Sequence, residues 1–262
     1  NRAVSGAYPP GSTFKLLVAL AAMEKGILKP ETTYHCAGHK VFYNRDYRCD
    51  GVHGTMNLVQ AIAHSCDVYF YELGMRLDVD DINAAAEKYG ILEKTGVDLP
   101  HEGTSRVPSR AWAKKYRPKE PKWYAGETIS VAIGQAQNAL TPIALARFYG
   151  MLATKGKLLT PHLFFGFRNE QTGQLDPVQP PPPRDANLDP KIWSVLDEGL
   201  FQVVESGTAK ASKIPGLSMA GKTGTSQVTT FVDKAHYAKL AKKLKDNALF
   251  AGYAPRENPQ IA

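Results

Sequence analysis

Ser12-Thr13-Phe14-Lys15 follows directly on Pro9-Pro10-Gly11 and opens the apolar run Leu16-Leu17-Val18-Ala19-Leu20. This segment constrains the chain most, because it sets a hydroxyl and an amine three residues apart at the start of a helix. Positions i and i+3 share a helical face, so Lys15 is expected beside Ser12 Oγ. The apolar side of the same helix would desolvate the amine and favour its neutral form, as a general base requires. The helix N-terminus adds positive potential that favours a developing alkoxide. Taken alone, the tetrapeptide has a blander reading, a helix-capping serine followed by a solvated lysine. Its weight comes from what lies downstream.

Near the other end, Lys222-Thr223-Gly224-Thr225 follows Gly216-Leu217-Ser218-Met219-Ala220 and precedes Ser226-Gln227-Val228, a stretch that reads as a strand. Gly224 leaves one face of that strand open to a ligand or to another backbone. Between the two lies His64-Ser65-Cys66-Asp67, closing a helix-like segment that runs from Met56 through Leu58, Val59, Ala61 and Ile62. Ser-x-x-Lys, then Ser-x-Asp or Ser-x-Asn some fifty residues on, then Lys-Thr-Gly, is the motif order of serine acyl-transfer enzymes that react with β-lactams.

With these three motifs in order the chain resembles the penicilloyl-serine transferase family. Tyr8-Pro9-Pro10-Gly11-Ser12-Thr13-Phe14-Lys15, Ile133-Gly134-Gln135 followed by Thr141-Pro142-Ile143-Ala144-Leu145-Ala146, and Gly221-Lys222-Thr223-Gly224-Thr225-Ser226-Gln227-Val228 are similar to monofunctional class B D,D-transpeptidases. Within them the stretch Tyr116 to Thr128 and the charged helix-like Ala235 to Asp246 resemble the cell-elongation group, penicillin-binding protein 2. Two departures stand out. Asp67 ends the second motif where relatives often carry asparagine, and Ala136 follows Gly134-Gln135 where a glycine is usual.

The resemblance implies an α/β fold of the penicillin-binding protein and serine β-lactamase type, an antiparallel sheet flanked by helices plus an all-helical subdomain. Residues 1–262 would form one transpeptidase domain, its sheet incomplete, lacking the first and last strands and any N-terminal anchor or pedestal. It implies catalytic roles for Ser12, Lys15, Ser65, Asp67 and Lys222, and substrate binding by Thr223, Gly224 and Thr225. Backbone N–H groups of Ser12 and Thr225 would form the oxyanion hole. The implied partners are peptidoglycan stem peptides, β-lactam antibiotics and a RodA-type glycan polymerase. The implied place is the outer side of the bacterial inner membrane, in the periplasm. A serine β-lactamase would need a hydrolytic base, and no Glu-x-x-Leu-Asn segment lies between motifs two and three. A D,D-carboxypeptidase, which differs only in its acceptor, and a non-catalytic β-lactam sensor or zinc-braced binding module remain alternatives.

Composition fits one globular enzyme domain. The 262 residues are 43% hydrophobic and 22% charged, enough for one sizeable core or two small ones. A net charge of +7 raises nucleic acid as a partner, but the basic residues are scattered except between Lys234 and Lys245. There Tyr237, Leu240 and Leu244 recur at helical intervals with lysines between, as on a solvated surface helix; no nucleic-acid partner is expected. No run of about eighteen apolar residues occurs.

Periodicity predicts helices over Ser12 to Lys25, Asn57 to Leu73, Val79 to Tyr89, Pro142 to Thr154 and Lys191 to Glu205, with stops at Gly26, Gly90 and Gly156. It predicts strands over Leu217 to Val228 and Ala248 to Ala254, and an extended connection through the prolines between Arg168 and Pro190.

Three cysteines, Cys36, Cys49 and Cys66, fall within thirty-one residues, with His53 between the last two. An odd count admits one disulfide and a free thiol. The array Cys-x12-Cys-x3-His-x12-Cys also supplies the three thiolates and one imidazole that structural zinc prefers. It matches no short zinc signature, so unlinked small core residues stand level with a metal site on spacing alone. The resemblance tilts this toward structural zinc held by Cys36, Cys49, His53 and Cys66, since some penicillin-binding protein 2 members hold zinc at similar positions. His35, His39, Asp46 and Asp50 are substitute ligands. With Cys66 in the middle of the second motif, Ser65 and Asp67 would face the cleft while Cys66 faces the metal. No catalytic cofactor is expected.

Overall fold

The computed structural model describes residues 1–226 and 246–262. The helix expected over Ala235 to Asp246, and the end of the expected strand at Gln227-Val228, therefore lie outside the described residues. Helices α1 (Arg2–Ser5), α2 (Lys15–Glu24), α3 (Leu58–Ala63), α4 (Asp67–Arg76), α5 (Val79–Lys88), α6 (Arg110–Tyr116), α7 (Ala125–Val131), α8 (Pro142–Ala153) and α9 (Pro190–Glu205) make up most of the ordered chain. Strands β1 (Tyr34–Cys36), β2 (His39–Phe42), β3 (Arg45–Arg48), β4 (Gly54–Met56), β5 (Lys157–Leu158), β6 (Gly166–Arg168), β7 (Leu175–Pro177), β8 (Arg184–Asp185), β9 (Ala220–Ser226) and β10 (Asn247–Tyr253) pair only two by two among the described residues.

Helix α2 is the axis of the core. Leu16, Leu17, Val18, Ala19, Leu20 and Ala22 are fully buried, because α2 packs against α4, α5 and α9. A helix apolar all round can sit only in an interior. Its first turn, Gly11–Phe14, is a 3-10 helix, whose i to i+3 hydrogen bonds suit a short, sharply entered start. At the far end Gly26 ends the helix at φ +68°, and Gly90 and Gly156 do the same for α5 and α8, as predicted.

The helix expected over Asn57 to Leu73 is two helices. Asn57 caps α3 in a capping box with Gln60, and α3 ends at His64. There Ser65 N–H donates to Ile62 O (3.2 Å) and Cys66 N–H to Ala61 O (2.9 Å), with Ser65 in the left-handed region at φ +56°. This is a Schellman closure with serine where glycine is usual. Periodicity missed the break because the apolar spacing resumes in α4.

The two long strands, β9 and β10, form an antiparallel pair with Lys222 opposite Ala251, Thr223 opposite Phe250 and Gly224 opposite Leu249. Helix α9 packs on β9 and α8 on β10, so the pair is flanked by helices as expected. The helical half is not free of strands: β1 pairs with β4 and β2 with β3. The proline-rich connection also folds back, β6 on β7 and β5 on β8. Short polar strands of two to four residues carry too little alternation to be read from sequence.

Candidate active site

Ser12 sits in the 3-10 turn, half-buried, and the turn is held from three sides. Thr13 Oγ donates to Pro10 O at 2.7 Å, and Tyr149 OH from α8 donates to Thr13 O at 3.0 Å. Gly11 N–H donates to Gly134 O at 3.0 Å. Gly11 adopts φ +54°, and a Cβ there would lie 2.4 Å from Thr225 O, so glycine is what lets the serine turn press against β9.

Lys15 is fully buried at the base of the site. Its ammonium donates to Ser65 O (2.8 Å), Ser65 Oγ (3.2 Å) and Asp67 Oδ1 (2.7 Å) and lies 5.3 Å from the centre of the Phe70 ring. Ser12 Oγ is not among its hydrogen-bond partners. The apolar surroundings expected from the helix are present, yet the amine is tied into an ion pair across the α3–α4 junction. Burial pushes the Asp67 carboxyl up, and the Lys15 charge opposes that rise. Asp67 in place of an asparagine thus puts a formal counter-charge on Lys15.

Lys222 on β9 is the second fully buried amine. It donates to Thr223 O at 3.1 Å and has no carboxylate in hydrogen-bond range among the described residues. Burial, and then the charge on Lys15, lower it well below the ordinary lysine range. Burial thus shifts Lys222 toward its neutral form, an effect that sequence reasoning did not anticipate. Beyond it Thr223 is half-buried, Gly224 buried and Thr225 exposed, and Gln135 Nε2 donates to Thr225 O at 3.3 Å.

Thr208 was absent from the sequence reading. Its hydroxyl lies 2.6 Å from that of Thr223, and its N–H donates to Ala63 O at 3.1 Å. At the preceding Gly207 a Cβ would stand 2.1 Å from the same carbonyl. The loop after α9 thereby links the end of α3, which leads into Ser65, to the strand carrying Thr223. A Gly-Thr pair just past a helix end was the available signal, but it is common and has no period.

On the opposite side of the α3–α4 junction, Cys36, Cys49, His53 and Cys66 converge with their ligand atoms all within 4.8 Å of one another. His53 Nδ1 is 3.6 Å from Cys36 Sγ and 3.5 Å from Cys49 Sγ. A tetrahedron with Zn–S near 2.3 Å and Zn–N near 2.0–2.1 Å has edges of about 3.5–3.8 Å, so the set fits a closed structural zinc site. None of the three cysteines is joined in a disulfide. Cys49 is held down to about 4 by a hydrogen bond from Cys66, aided by backbone N–H donors including that of Asp67 (3.2 Å), while Cys66 is pushed up in return. A pre-stabilised thiolate is what a metal needs of its ligand. His39 pairs with Asp46 at 2.7 Å and His35 with Thr55 at 3.2 Å, so these candidate substitutes are engaged elsewhere. An apolar hollow of about 360 Å³ between α8 and β10 offers no such chemistry.

Comparison with known proteins gives this arrangement its context. Residues 1–262 match the penicillin binding protein transpeptidase domain. The chain belongs to that family. Over its whole length it is 36% identical to the peptidoglycan D,D-transpeptidase MrdA of Acinetobacter baumannii and 33% to that of Escherichia coli, covering 39% and 42% of those proteins. The chain thus spans about two fifths of the curated relatives it matches. Among solved structures, Pseudomonas aeruginosa PBP2 in complex with WCK 5153 superposes with a TM-score of 0.82 at 36% identity, over 100% of this chain and 56% of that one. PBP2 of Helicobacter pylori in complex with MreC gives 0.83 at 30%, over 99% and 45%. Within this penicillin-binding family, the resemblance to penicillin-binding protein 2 read from the stretches Tyr116 to Thr128 and Ala235 to Asp246 agrees with these MrdA and PBP2 relatives, and so does the fold class.

Proposed function

We propose that the chain is the catalytic part of a peptidoglycan D,D-transpeptidase that works through a Ser12 acyl-enzyme and is inhibited by β-lactams. The observation that carries this reading is the convergence of the three motifs on one buried pair of amines, Lys15 on Ser65 and Asp67, with Lys222 fully buried beside it on β9. In the donor reaction Ser12 Oγ attacks the carbonyl of the penultimate D-alanine. Lys15 passes its proton to neutral Lys222 and takes the proton of Ser12. Lys222 then delivers its proton through Ser65 Oγ to the departing amine as the C–N bond breaks. This returns Lys15 to its ammonium form and Lys222 to its neutral form, with the acyl group on Ser12. Thr223 and Thr225 hold the donor carboxylate, and the amide N–H groups of Ser12 and Thr225 receive the oxyanion. An amine of a second stem peptide then displaces Ser12 and closes the crosslink.

A zinc ion on Cys36, Cys49, His53 and Cys66 would supply structure only, bracing the α3–α4 junction from behind. Because Cys66 separates Ser65 from Asp67 in sequence, the brace acts on both contacts of Lys15.

No helix of the described residues is long and apolar enough to cross a membrane, and the relatives are more than twice as long. The working protein is inferred to be a larger, inner-membrane-anchored enzyme facing the periplasm, paired with a RodA-type polymerase. That Helicobacter pylori PBP2 is known in complex with MreC supports a multiprotein setting. The test is covalent labelling by a fluorescent penicillin, expected for the unsubstituted chain and lost in Ser12→Ala with the far-ultraviolet spectrum unchanged. Full labelling of folded Ser12→Ala would sink the nucleophile assignment.

A further inference from the structure

Tyr149 stands on the buried face of α8 with Leu145, Phe148 and Leu152, and none of its surface is exposed. Such a face accepts leucine or phenylalanine freely, whereas a buried phenol needs a partner for its hydroxyl. Among the described residues that partner is Thr13 O, at 3.0 Å and 136 residues away along the chain. Burial pushes the phenol well above its ordinary range, so the group stays an O–H donor at any pH near neutrality. The fold therefore spends a polar side chain of α8 on one backbone carbonyl of the serine turn.

That carbonyl is well placed to govern Ser12. Gly11 N–H donates to Gly134 O at 3.0 Å and fixes the peptide plane ahead of the serine, and Tyr149 fixes the plane that follows Thr13. Ser12 lies between the two clamps, and Lys15 begins α2 just beyond the second. Thr13 is itself buried, with its Oγ on Pro10 O at 2.7 Å, and a Cβ on Gly224 would stand 2.9 Å from Thr13 Cγ2. The residue that Tyr149 grips is thus also the one through which the turn meets β9, and a tilt of its carbonyl would move Ser12 against Lys15 and β9 together. Resting on the acyl-transfer reading above, we propose that Tyr149 is a positioning residue for the reaction, its hydroxyl acting through Thr13 O to fix where Ser12 presents its oxygen. A reacting group displaced by about 1 Å can lose about 10²-fold in rate. Donor binding is assigned to Thr223 and Thr225, so the loss should fall on the acylation step and not on affinity.

The test is time-resolved labelling of the full chain by a fluorescent penicillin over a range of concentrations, which separates the acylation rate constant from the dissociation constant of the complex that precedes it. Tyr149→Phe removes the hydroxyl and keeps the ring. It is expected to lower the rate constant about 10–100-fold, to leave the dissociation constant within twofold, and to keep the shape of the parent pH profile, since Tyr149 carries no proton of the reaction. 4-Aminophenylalanine incorporated in place of Tyr149, which restores a donor at the same point, should recover most of the rate. Tyr89→Phe is the control. Tyr89 is equally buried, and its hydroxyl donates to Glu24 Oε1 at 2.5 Å at the far end of α2, so that variant should lose melting temperature to a similar extent and acylate within twofold of the parent. The proposal is overturned if Tyr149→Phe acylates within twofold of the parent, if both phenylalanine variants slow alike, if the loss appears in the dissociation constant, or if Tyr149→Phe does not fold, because the hydroxyl would then hold the fold and not the turn. A parent chain that labels normally beside an unslowed Tyr149→Phe condemns this inference alone. A folded parent that does not label condemns the acyl-enzyme reading.

Discussion

Ser65 pays for its position. A serine in the left-handed region costs about 1–2 kcal/mol where glycine costs almost nothing, and it persists because its carbonyl and hydroxyl both receive Lys15. Ser65→Gly is expected to hold or raise the melting temperature while slowing penicillin acylation roughly 10²-fold or more; a stable variant acylating at the parent rate would remove Ser65 from the proton path. Lys15 and Asp67 form a buried pair, and removing one partner of such a pair costs about 3–5 kcal/mol. Lys15→Met should therefore lose both acylation and stability, whereas Lys15→Met with Asp67→Asn should recover most of the stability and none of the acylation. Urea titration of the two variants separates these outcomes. For Lys222 the sign of the linkage is the reverse of a salt-bridged lysine. Its folded value lies well below its unfolded one, so between the two the unfolded chain binds the extra proton and stability rises with pH. Lys222→Met is expected to flatten that rise, increase the melting temperature at neutral pH, and reduce acylation about 10²–10⁴-fold. Acylation by the parent should decline as pH falls through the lowered value and Lys222→Met should lose that decline; the same pH profile in both proteins would contradict a proton-accepting Lys222.

At the scale of elements, the site is a meeting of ends. The start of α2, the α3–α4 junction and the middle of β9 come together because α3 packs on α9 and α9 on β9. Two braces hold this meeting. One is Thr208, whose hydroxyl orients Thr223: Thr208→Val should raise the half-saturation constant for a D-alanyl-D-alanine donor severalfold with little change in melting temperature, and Thr208→Ser should restore it. Equal donor affinity in the valine variant would leave Thr208 without a positioning role. The other is the cysteine and histidine cluster, which draws ligands from β1, the segment between β3 and β4, and the α3–α4 junction. Protein prepared without chelator should carry close to one zinc per chain, and Cys36→Ser should lower both zinc content and thermal stability. Less than a tenth of a mole of zinc per chain would refute the brace.

Across the whole molecule, α2 joins the helical half to the β9–β10 half, being in contact with α4, α5 and α9. Thermal unfolding is accordingly expected as one calorimetric transition, with penicillin labelling lost at the same temperature, and Leu17→Ala should cost about 2–5 kcal/mol without splitting it. How much of this was open to inspection in the chain itself differs by feature, for a physical reason. The five longer helices, the two long strands, the glycine stops and the three motifs depend on local spacing, side-chain type and backbone freedom, which the order of residues carries directly. The position of Ala136 was flagged as an unusual replacement for glycine, and its φ of +59° is the conformation that glycine serves. What local spacing does not carry is which groups meet. The break at Ser65, the partnership of Lys15 with Asp67 in place of Ser12, the full burial of the Lys222 amine, the Thr208 contact and the convergence of four metal-type ligands are decided by packing between segments tens to more than a hundred residues apart. Desolvation and pairing are properties of an enclosure, and only the folded chain makes one.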